Sequence, residues 1–383
     1  MRRKKVCFVS YGSTEYSRKS EASLLEQYAI AIRDALNRVG MHKREIQGLS
    51  ITTQASPDFA PHVAEQLGFE LDWVLNGDYG GAGGVGSVRR AADAIECGHI
   101  DVALLVGGNS FDKSVSNQRP LEYQRGNFVD VYGYGGPNSL MALIQRLHME
   151  NFGTILEQTG KIALAQRFNA LNNPQALFRE PMTMQDYLNS RMISDPIRLF
   201  DCVMPCSGAE CIILASEEKA KQFTDKMVHL VTDAERIHYQ IGNMLPDKTT
   251  FGMKVVGDRL FSEVNRDDID FCEIYDDYPI AVMIQIEDLG FCKKGEGGKF
   301  VDAHDLTYNG DFPVNTGGGE ISVGQAGLAG GFLHIVEALR QLRGEADGHQ
   351  VKKAGRALVT GIGWLNYGRN LGTTAALIME RRK

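Results

Sequence analysis

The chain has 383 residues, with 41 Lys+Arg against 48 Asp+Glu, and this mildly acidic balance excludes the basic face expected of a dedicated nucleic-acid binder. Hydrophobic residues make up 43% and charged residues 23%, ordinary globular usage at a length that allows two packed units. No apolar run approaches the roughly 20 residues that cross a bilayer. The basic start Met1–Lys5 is followed by Val6–Ser10, too short for a signal-peptide core, so a cytoplasmic protein is expected.

Short apolar runs alternate with amphipathic stretches through the first third. Strands are predicted over Val6–Ser10, Ile46–Ile51, Asp72–Leu75 and Val102–Val106, and helices over Glu21–Val39, Phe59–Leu67 and Gly84–Cys97. Such alternation implies a parallel or mixed sheet covered by helices. Residues 110–200 are richer in Asn, Arg, Met and Tyr, with helices predicted over Ser139–Asn151 and Leu156–Ala170. They read as an insertion over the sheet. Alternation then returns: strands over Phe271–Tyr275, Ala357–Gly361 and Thr374–Met379, helices over Ile280–Leu289 and Gly331–Leu342. An offset of 247 residues lays Gly84 on Gly331, Val88 on Ile335, Ala91 on Ala338 and Ile95 on Leu342, which points to two duplicated α/β halves, 1–245 and 246–383.

The 42 glycines cluster at the junctions of these runs, where backbone must turn tightly or approach a ligand. Gly81-Ala-Gly-Gly-Val-Gly86 matches the dinucleotide fingerprint, but the following strand ends in Gly107-Gly108-Asn109 with no acid for a ribose, which disfavours a nicotinamide cofactor. Pro313-Val-Asn-Thr-Gly-Gly-Gly-Glu320 precedes a second glycine-rich entry to a helix, making Asn315, Gly317, Gly318 and Gln325 candidate ligand contacts. Tyr275-Asp-Asp-Tyr-Pro279 lies where a strand ends and a helix begins, a favoured place for acid–base groups. One acid is expected to cap the helix, most simply Asp277, leaving Tyr275, Asp276 and Tyr278 as candidates. The seven cysteines are scattered, and Cys202 and Cys206, a C-x3-C pair with no second pair or histidine at ligand spacing, read as buried thiols rather than a zinc site.

Taken together, the chain resembles the thiolase superfamily, in particular the sterol-carrier-protein-type thiolases, over essentially its whole length. The resemblance rests on Tyr11-Gly-Ser-Thr-Glu-Tyr16, Asp93-Ala-Ile-Glu-Cys-Gly-His-Ile-Asp-Val-Ala103, Tyr187-Leu-Asn-Ser-Arg-Met-Ile-Ser-Asp-Pro196 and Cys206-Ser-Gly-Ala-Glu210. It continues through Leu289-Gly-Phe-Cys-Lys-Lys-Gly-Glu-Gly-Gly298, Pro313-Val-Asn-Thr-Gly-Gly318 and Gln341-Leu-Arg-Gly344. It implies a thiolase fold of two five-layer α/β/α/β/α halves with mixed sheets, a coenzyme A thioester as substrate, and a homodimer. The catalytic positions depart from it. The nucleophilic cysteine falls on Gly81, the Gly-His-Pro histidine on Gln325, and the His or Asn of the H-D-A-F-type motif on Tyr275. The last polar group falls on Thr360, and Trp364 replaces a glycine.

Covalent acyl transfer needs a thiolate and a base, and neither stands at its usual position. Stabilising an enolate at a thioester carbonyl needs no nucleophile, so retro-aldol cleavage of a β-hydroxy acyl-CoA survives. The chain resembles the cysteine-less thiolase homologues that act as aldolases in bacterial steroid side-chain degradation. Those enzymes use tyrosines and work with a small partner carrying an OB fold and a zinc ribbon, which implies a heterotetramer here. On this reading Tyr275, oriented by Asp276, handles the hydroxyl proton. Gln325, fifty residues on, orients substrate or water, and Tyr278 or Tyr132 supplies a second phenol. Backbone N–H groups at Gly81, Gly363 and Gly317–Gly319 hold the enolate oxygen. No cofactor is expected beyond the coenzyme A of the substrate, and no metal. The alternatives are a silent acyl-CoA-binding subunit, an acyltransferase using Cys272 or Cys292, and a dehydrogenase.

Overall fold

Nine of the eleven strands in the computed structural model, which describes residues 4–52, 59–77, 79–110, 131, 133, 136–244, 247–365 and 370–382, form one mixed sheet. The N-terminal strands are β1 (Val6–Ser13), β2 (Gly48–Thr52), β3 (Trp73–Gly77) and β4 (Val102–Asn109); β5 (Met192–Ser194) and β6 (Ile197–Arg198) form a small separate pair. The remaining strands are β7 (Gly208–Ser216), β8 (Val228–Ile237), β9 (Phe271–Glu273), β10 (Arg356–Leu365) and β11 (Leu371–Arg381). Their order is β3-β2-β4-β7-β1-β8-β11-β10-β9.

That order is a duplication. From β2 inward the pairings run parallel to β4, antiparallel to β7 and antiparallel to β1. From β9 inward they run parallel to β10, antiparallel to β11 and antiparallel to β8. The halves meet where β1 and β8 pair only through Cys7↔His229 and Phe8↔Val228. The second unit of the repeat therefore opens with β8; a boundary at 245 would separate β8 from the strand it pairs with, β11. The alternation read from the sequence omits β7 and β8, the strands flanking β1 at the middle of the sheet. Every residue of β7 is buried, so it shows no period-2 signal.

The central layer is two helices, Gly83–Glu96 and Gly330–Arg343, held between the two halves of the sheet. Val85, Val88 and Ile95 pack there with Phe332, Ile335 and Leu342, together with inward-facing residues of β1, β4, β7, β10 and β11. The two helices cross at the glycines that the 247-residue offset superposes. A Cβ on Gly84 would lie 2.0 Å from the Gly331 carbonyl oxygen, so neither position has room for a side chain. This close crossing, rather than a pyrophosphate, explains the dinucleotide-like glycine pattern.

Helices Leu24–Arg38 and Ala60–Leu67 cover the outer face of the first half; Ser23 and Glu26 form a capping box on the former. Helices Met253–Leu260 and Pro279–Asp288 cover the second. Helices Pro137–Phe152 and Leu156–Ala170, from the predicted insertion, contribute Leu140, Met141, Ile144 and Ile162 to that same outer core. They lie over the C-terminal half. Among the described residues, no helix is long and apolar enough to cross a membrane.

Candidate active site

The entries to both central helices converge with the ends of β9 and β10, the strand-end position where open α/β sheets collect their ligands. Gly80–Ala82 turns into the first central helix, residues 324–329 lead into the second, and Ile274–Tyr278 follow β9.

Tyr275 is the centre of this convergence. It is buried at 3% exposure, and its phenol lies against Gly81: a Cβ at 81 would sit 2.0 Å from Cζ and 2.3 Å from the hydroxyl oxygen. The phenol thus occupies the space into which a nucleophilic side chain at 81 would project. Its backbone is clamped on both sides. The Tyr275 N–H donates to Thr360 Oγ1 (2.9 Å), Thr360 donates to Gln285 Oε1 (2.7 Å), and Gln285 Nε2 donates to the Tyr275 carbonyl (2.8 Å). Thr360, on the family's last polar position, is therefore a backbone anchor. Burial, then the carboxyls of Asp277 and Glu320, push the phenol well above its ordinary pKa, so it rests neutral.

Gln325 joins this phenol to two acids. Its Nε2 lies 2.6 Å from Asp277 Oδ1, 3.2 Å from Glu320 Oε2 and 3.3 Å from the Tyr275 hydroxyl. Its backbone is fixed by reciprocal bonds with the N-terminal half: Gln325 N–H to Met204 O (2.8 Å) and Cys206 N–H to Gln325 O (3.0 Å). Gln325 Nε2 thereby bridges the Asp277 carboxyl and the Tyr275 phenol. Burial pushes Asp277 up to about 6, so near neutral pH it is largely a carboxylate. Glu320, fully buried and beside Asp277 and Asp276, is raised well above the carboxylate range and holds its proton.

The two acids after Tyr275 exchange the parts expected of them. Asp276 is the capping residue: its oxygens accept from the Glu320 N–H (2.8 Å) and Ile321 N–H (3.1 Å) at the start of the short helix Gly319–Val323. It also lies 3.0 Å from His334 Nε2, so it is turned away from the Tyr275 hydroxyl it was expected to orient. Asp277 caps no helix; Tyr278 is the N-cap of Pro279–Asp288 and makes no side-chain cap bond. The path of the Gly317–Gly319 loop decides this, because Gly319 packs on Asp276, where a Cβ would be 2.3 Å from Oδ2.

His334 lies under the Tyr275 ring, with centroids 5.8 Å apart. Burial alone would lower its pKa, but Asp276 and Glu273 outweigh burial and raise it to about 9, making an imidazolium. Glu273 in turn accepts from the Thr316 N–H (3.0 Å) and hydroxyl (2.6 Å). Glu320 and His334 were not singled out from sequence, and Asp277 was expected only to cap a helix. A histidine inside the otherwise apolar run Gly331-Phe-Leu-His-Ile-Val336 was the available signal.

The other expected residues are distributed as follows. The Tyr278 hydroxyl donates to Asn138 Oδ1 at 2.5 Å, on the helix Pro137–Phe152, and Tyr132 lies outside the described residues. Asn315 is a buried linker at φ 51°: its Oδ1 accepts from the Ile274 N–H (2.7 Å) and its N–H donates to Cys272 O (2.9 Å). The Gly318 N–H is committed to Asn315 O (2.8 Å), and Gly317 O accepts from Asn173 Nδ2 (2.8 Å), so this loop serves the buried polar network. Gly363 packs against Gly81 at the turn into the first central helix. A Cβ there would be 2.7 Å from the Gly81 nitrogen. All seven cysteines are free. Burial pushes the Cys206 and Cys292 thiols up to about 12 and raises Cys272 further, so none of these three is an activated thiolate. Among the described residues no His, Cys, Asp and Glu group could hold a metal ion.

Comparison with known proteins identifies relatives of the whole chain. Residues 234–371 match the family model described as thiolase C-terminal domain-like. The chain is 30% identical to the 17-hydroxy-3-oxo-4-pregnene-20-carboxyl-CoA lyase of Mycobacterium tuberculosis, over 88% of this chain and 91% of that one. It is 28% identical to the steroid side-chain-cleaving aldolase of Thermomonospora curvata, over 87% and 89%. Among solved structures, the Ltp2–ChsH2(DUF35) aldolase superposes with a TM-score of 0.88 at 27% identity, covering 100% of this chain and 99% of that one. The chain belongs to the thiolase superfamily, and it is an enzyme of that superfamily's aldolase branch, a carbon–carbon lyase.

Proposed function

We propose that the chain catalyses retro-aldol cleavage of a β-hydroxy acyl-CoA, a steroid side-chain ester, to a ketone or aldehyde and a shorter acyl-CoA such as propionyl-CoA. The observation that carries this reading is the Tyr275 phenol in the space above Gly81. A proton-transfer group stands where acyl transfer would need a nucleophile. The names of the relatives support the steroid side chain as substrate.

The neutral Tyr275 takes the β-hydroxyl proton as its own proton passes to the Asp277 carboxylate. The Cα–Cβ bond breaks, Cβ becomes the carbonyl carbon, and the electron pair goes into the thioester enolate. Backbone N–H groups around Gly81 and Gly363, packed on each other, hold the enolate oxygen. Protonation at Cα completes the shorter acyl-CoA. The bond's electron pair stays within the substrate and no net oxidation or reduction occurs, so the coenzyme A of the substrate is the sole cofactor needed. The similarity to an Ltp2–ChsH2(DUF35) aldolase supports a DUF35 partner; that this partner carries an OB fold and a zinc ribbon, with two copies of each chain in a cytoplasmic heterotetramer, is part of the proposal.

Gln325 favours one second reading, a silent acyl-CoA-binding subunit, because an amide is a poor acid–base group. The test incubates the chain and its partner with a steroid β-hydroxy acyl-CoA, omitting free coenzyme A, and follows products by mass spectrometry. A ketone with a shorter acyl-CoA supports the lyase. Bound but intact substrate supports the silent subunit.

A further inference from the structure

Two carboxyls of the site, Asp277 and Glu320, have no cation paired with them among the described residues. Asp277 Oδ1 and Glu320 Oε2 flank a single amide nitrogen, Gln325 Nε2, at 2.6 and 3.2 Å, with the Tyr275 hydroxyl a third acceptor at 3.3 Å. An amide nitrogen carries only two hydrogens, so it cannot satisfy all three. Among the described residues, no lysine or arginine ion pair involves either acid, and the imidazolium of His334 is committed to Asp276 and Glu273. Glu320 is fully buried, and its Oε1 has no hydrogen-bond partner among the described residues. That oxygen stands at the head of the second central helix, where Gly330 leaves it room: a Cβ there would be 1.5 Å away. Two ionised carboxylates in such a place, sharing one donor, would repel each other without compensation.

We infer that Asp277 and Glu320 share one proton in the resting site and act as a single acid–base pair behind Tyr275. The inference rests on the retro-aldol reading and supplies the second proton-transfer group that Gln325 cannot be. The pair takes the proton displaced from Tyr275 when the β-hydroxyl O–H breaks, so it then holds two. It returns one through Tyr275 to Cα of the enolate, restoring the one-proton state, and no oxidant or further reactant is consumed. Gln325 is a positioning residue that holds the two carboxyls together. The other titratable groups facing the pair are Tyr275 and Asp276 on the same turn, and Tyr16 and Cys206 from the N-terminal half, with His334 across Asp276.

The test uses Glu320→Gln in the full chain with its partner, read in two ways. Infrared difference spectra of wild type minus variant at neutral pH are expected to show a protonated carboxylic-acid carbonyl band that the variant lacks. The acid limb of kcat/KM is expected to move by about one pH unit, with the maximum falling at least about tenfold. If Glu320→Gln does not fold, Asp277→Asn is compared instead, and a shift of the acid band is expected. An unchanged acid band, or an unchanged pH profile in an active variant, overturns the pair. The infrared readout needs no turnover. A normal band in a wild-type protein that cleaves no β-hydroxy acyl-CoA would therefore sink the retro-aldol reading and leave the pair standing.

Discussion

Tyr275 and Gly81 exclude each other's side chains: a Cβ on Gly81 would fall 2.0 Å from Tyr275 Cζ. The glycine is the condition for the tyrosine, because a side chain at 81 and the phenol would claim the same space. Gly81→Ala is therefore expected to destabilise the protein by about 1–3 kcal/mol through overpacking and to abolish cleavage. Adding Tyr275→Ala should relieve the clash with the phenol, though not that with the Ile362 carbonyl oxygen 2.4 Å from the same Cβ, so the two changes couple by about 0.5–3 kcal/mol in a double-mutant cycle of denaturant unfolding. Simple additivity would contradict the shared space.

Tyr278 serves as the control tyrosine. Its hydroxyl is spent on Asn138 at 2.5 Å, tying the turn after β9 to the helix Pro137–Phe152. Tyr278→Phe should lower stability by about 1 kcal/mol and leave kcat/KM within its order of magnitude. A collapse of turnover with intact folding would return Tyr278 to the chemistry.

The pH profile follows from Asp277. Its carboxyl is raised to about 6, and the relay needs it ionised, so kcat/KM should fall as pH drops through about 6. Steady-state rates from pH 5 to pH 8 check this. A profile flat across that range would exclude Asp277 as acceptor.

His334 sets a different window. Its folded pKa is about 9 against an ordinary 6.5, so protonation favours the folded state. The contribution is complete below 6.5 and lost as pH rises through about 9, at most about 3 kcal/mol. Chemical denaturation across that range should show stability falling in wild type, with a shallower slope in His334→Gln. Equal slopes would mean the imidazole is not charged in the fold.

Much of the fold was legible because glycine spacing records backbone contact. The superposition of Gly84 on Gly331 pointed to duplicated halves, and in the structure the two helices touch at those glycines. Strands β7 and β8 were not legible: β7 is buried along its whole length and so lacks alternation. In the site, Tyr275 and Gln325 could be found from their positions before helices. The division of labour between Asp276 and Asp277 could not, because adjacent acids at a strand end differ only in which way the backbone turns them. Here that turn is set by Gly319, which packs against Asp276 from 43 residues downstream. Glu320 was hidden for the same reason, since its burial depends on a loop closing over a distant strand.

The most direct test compares single-turnover cleavage by wild type and Tyr275→Phe, each with its partner, on a β-hydroxy acyl-CoA without free coenzyme A. The phenol's contact with Gln325 is a long 3.3 Å, so the variant should fold and bind substrate. Its expected rate of ketone and acyl-CoA formation is lower by about 10²- to 10⁴-fold. Full cleavage by folded Tyr275→Phe would contradict the role of the phenol and, with it, the mechanism.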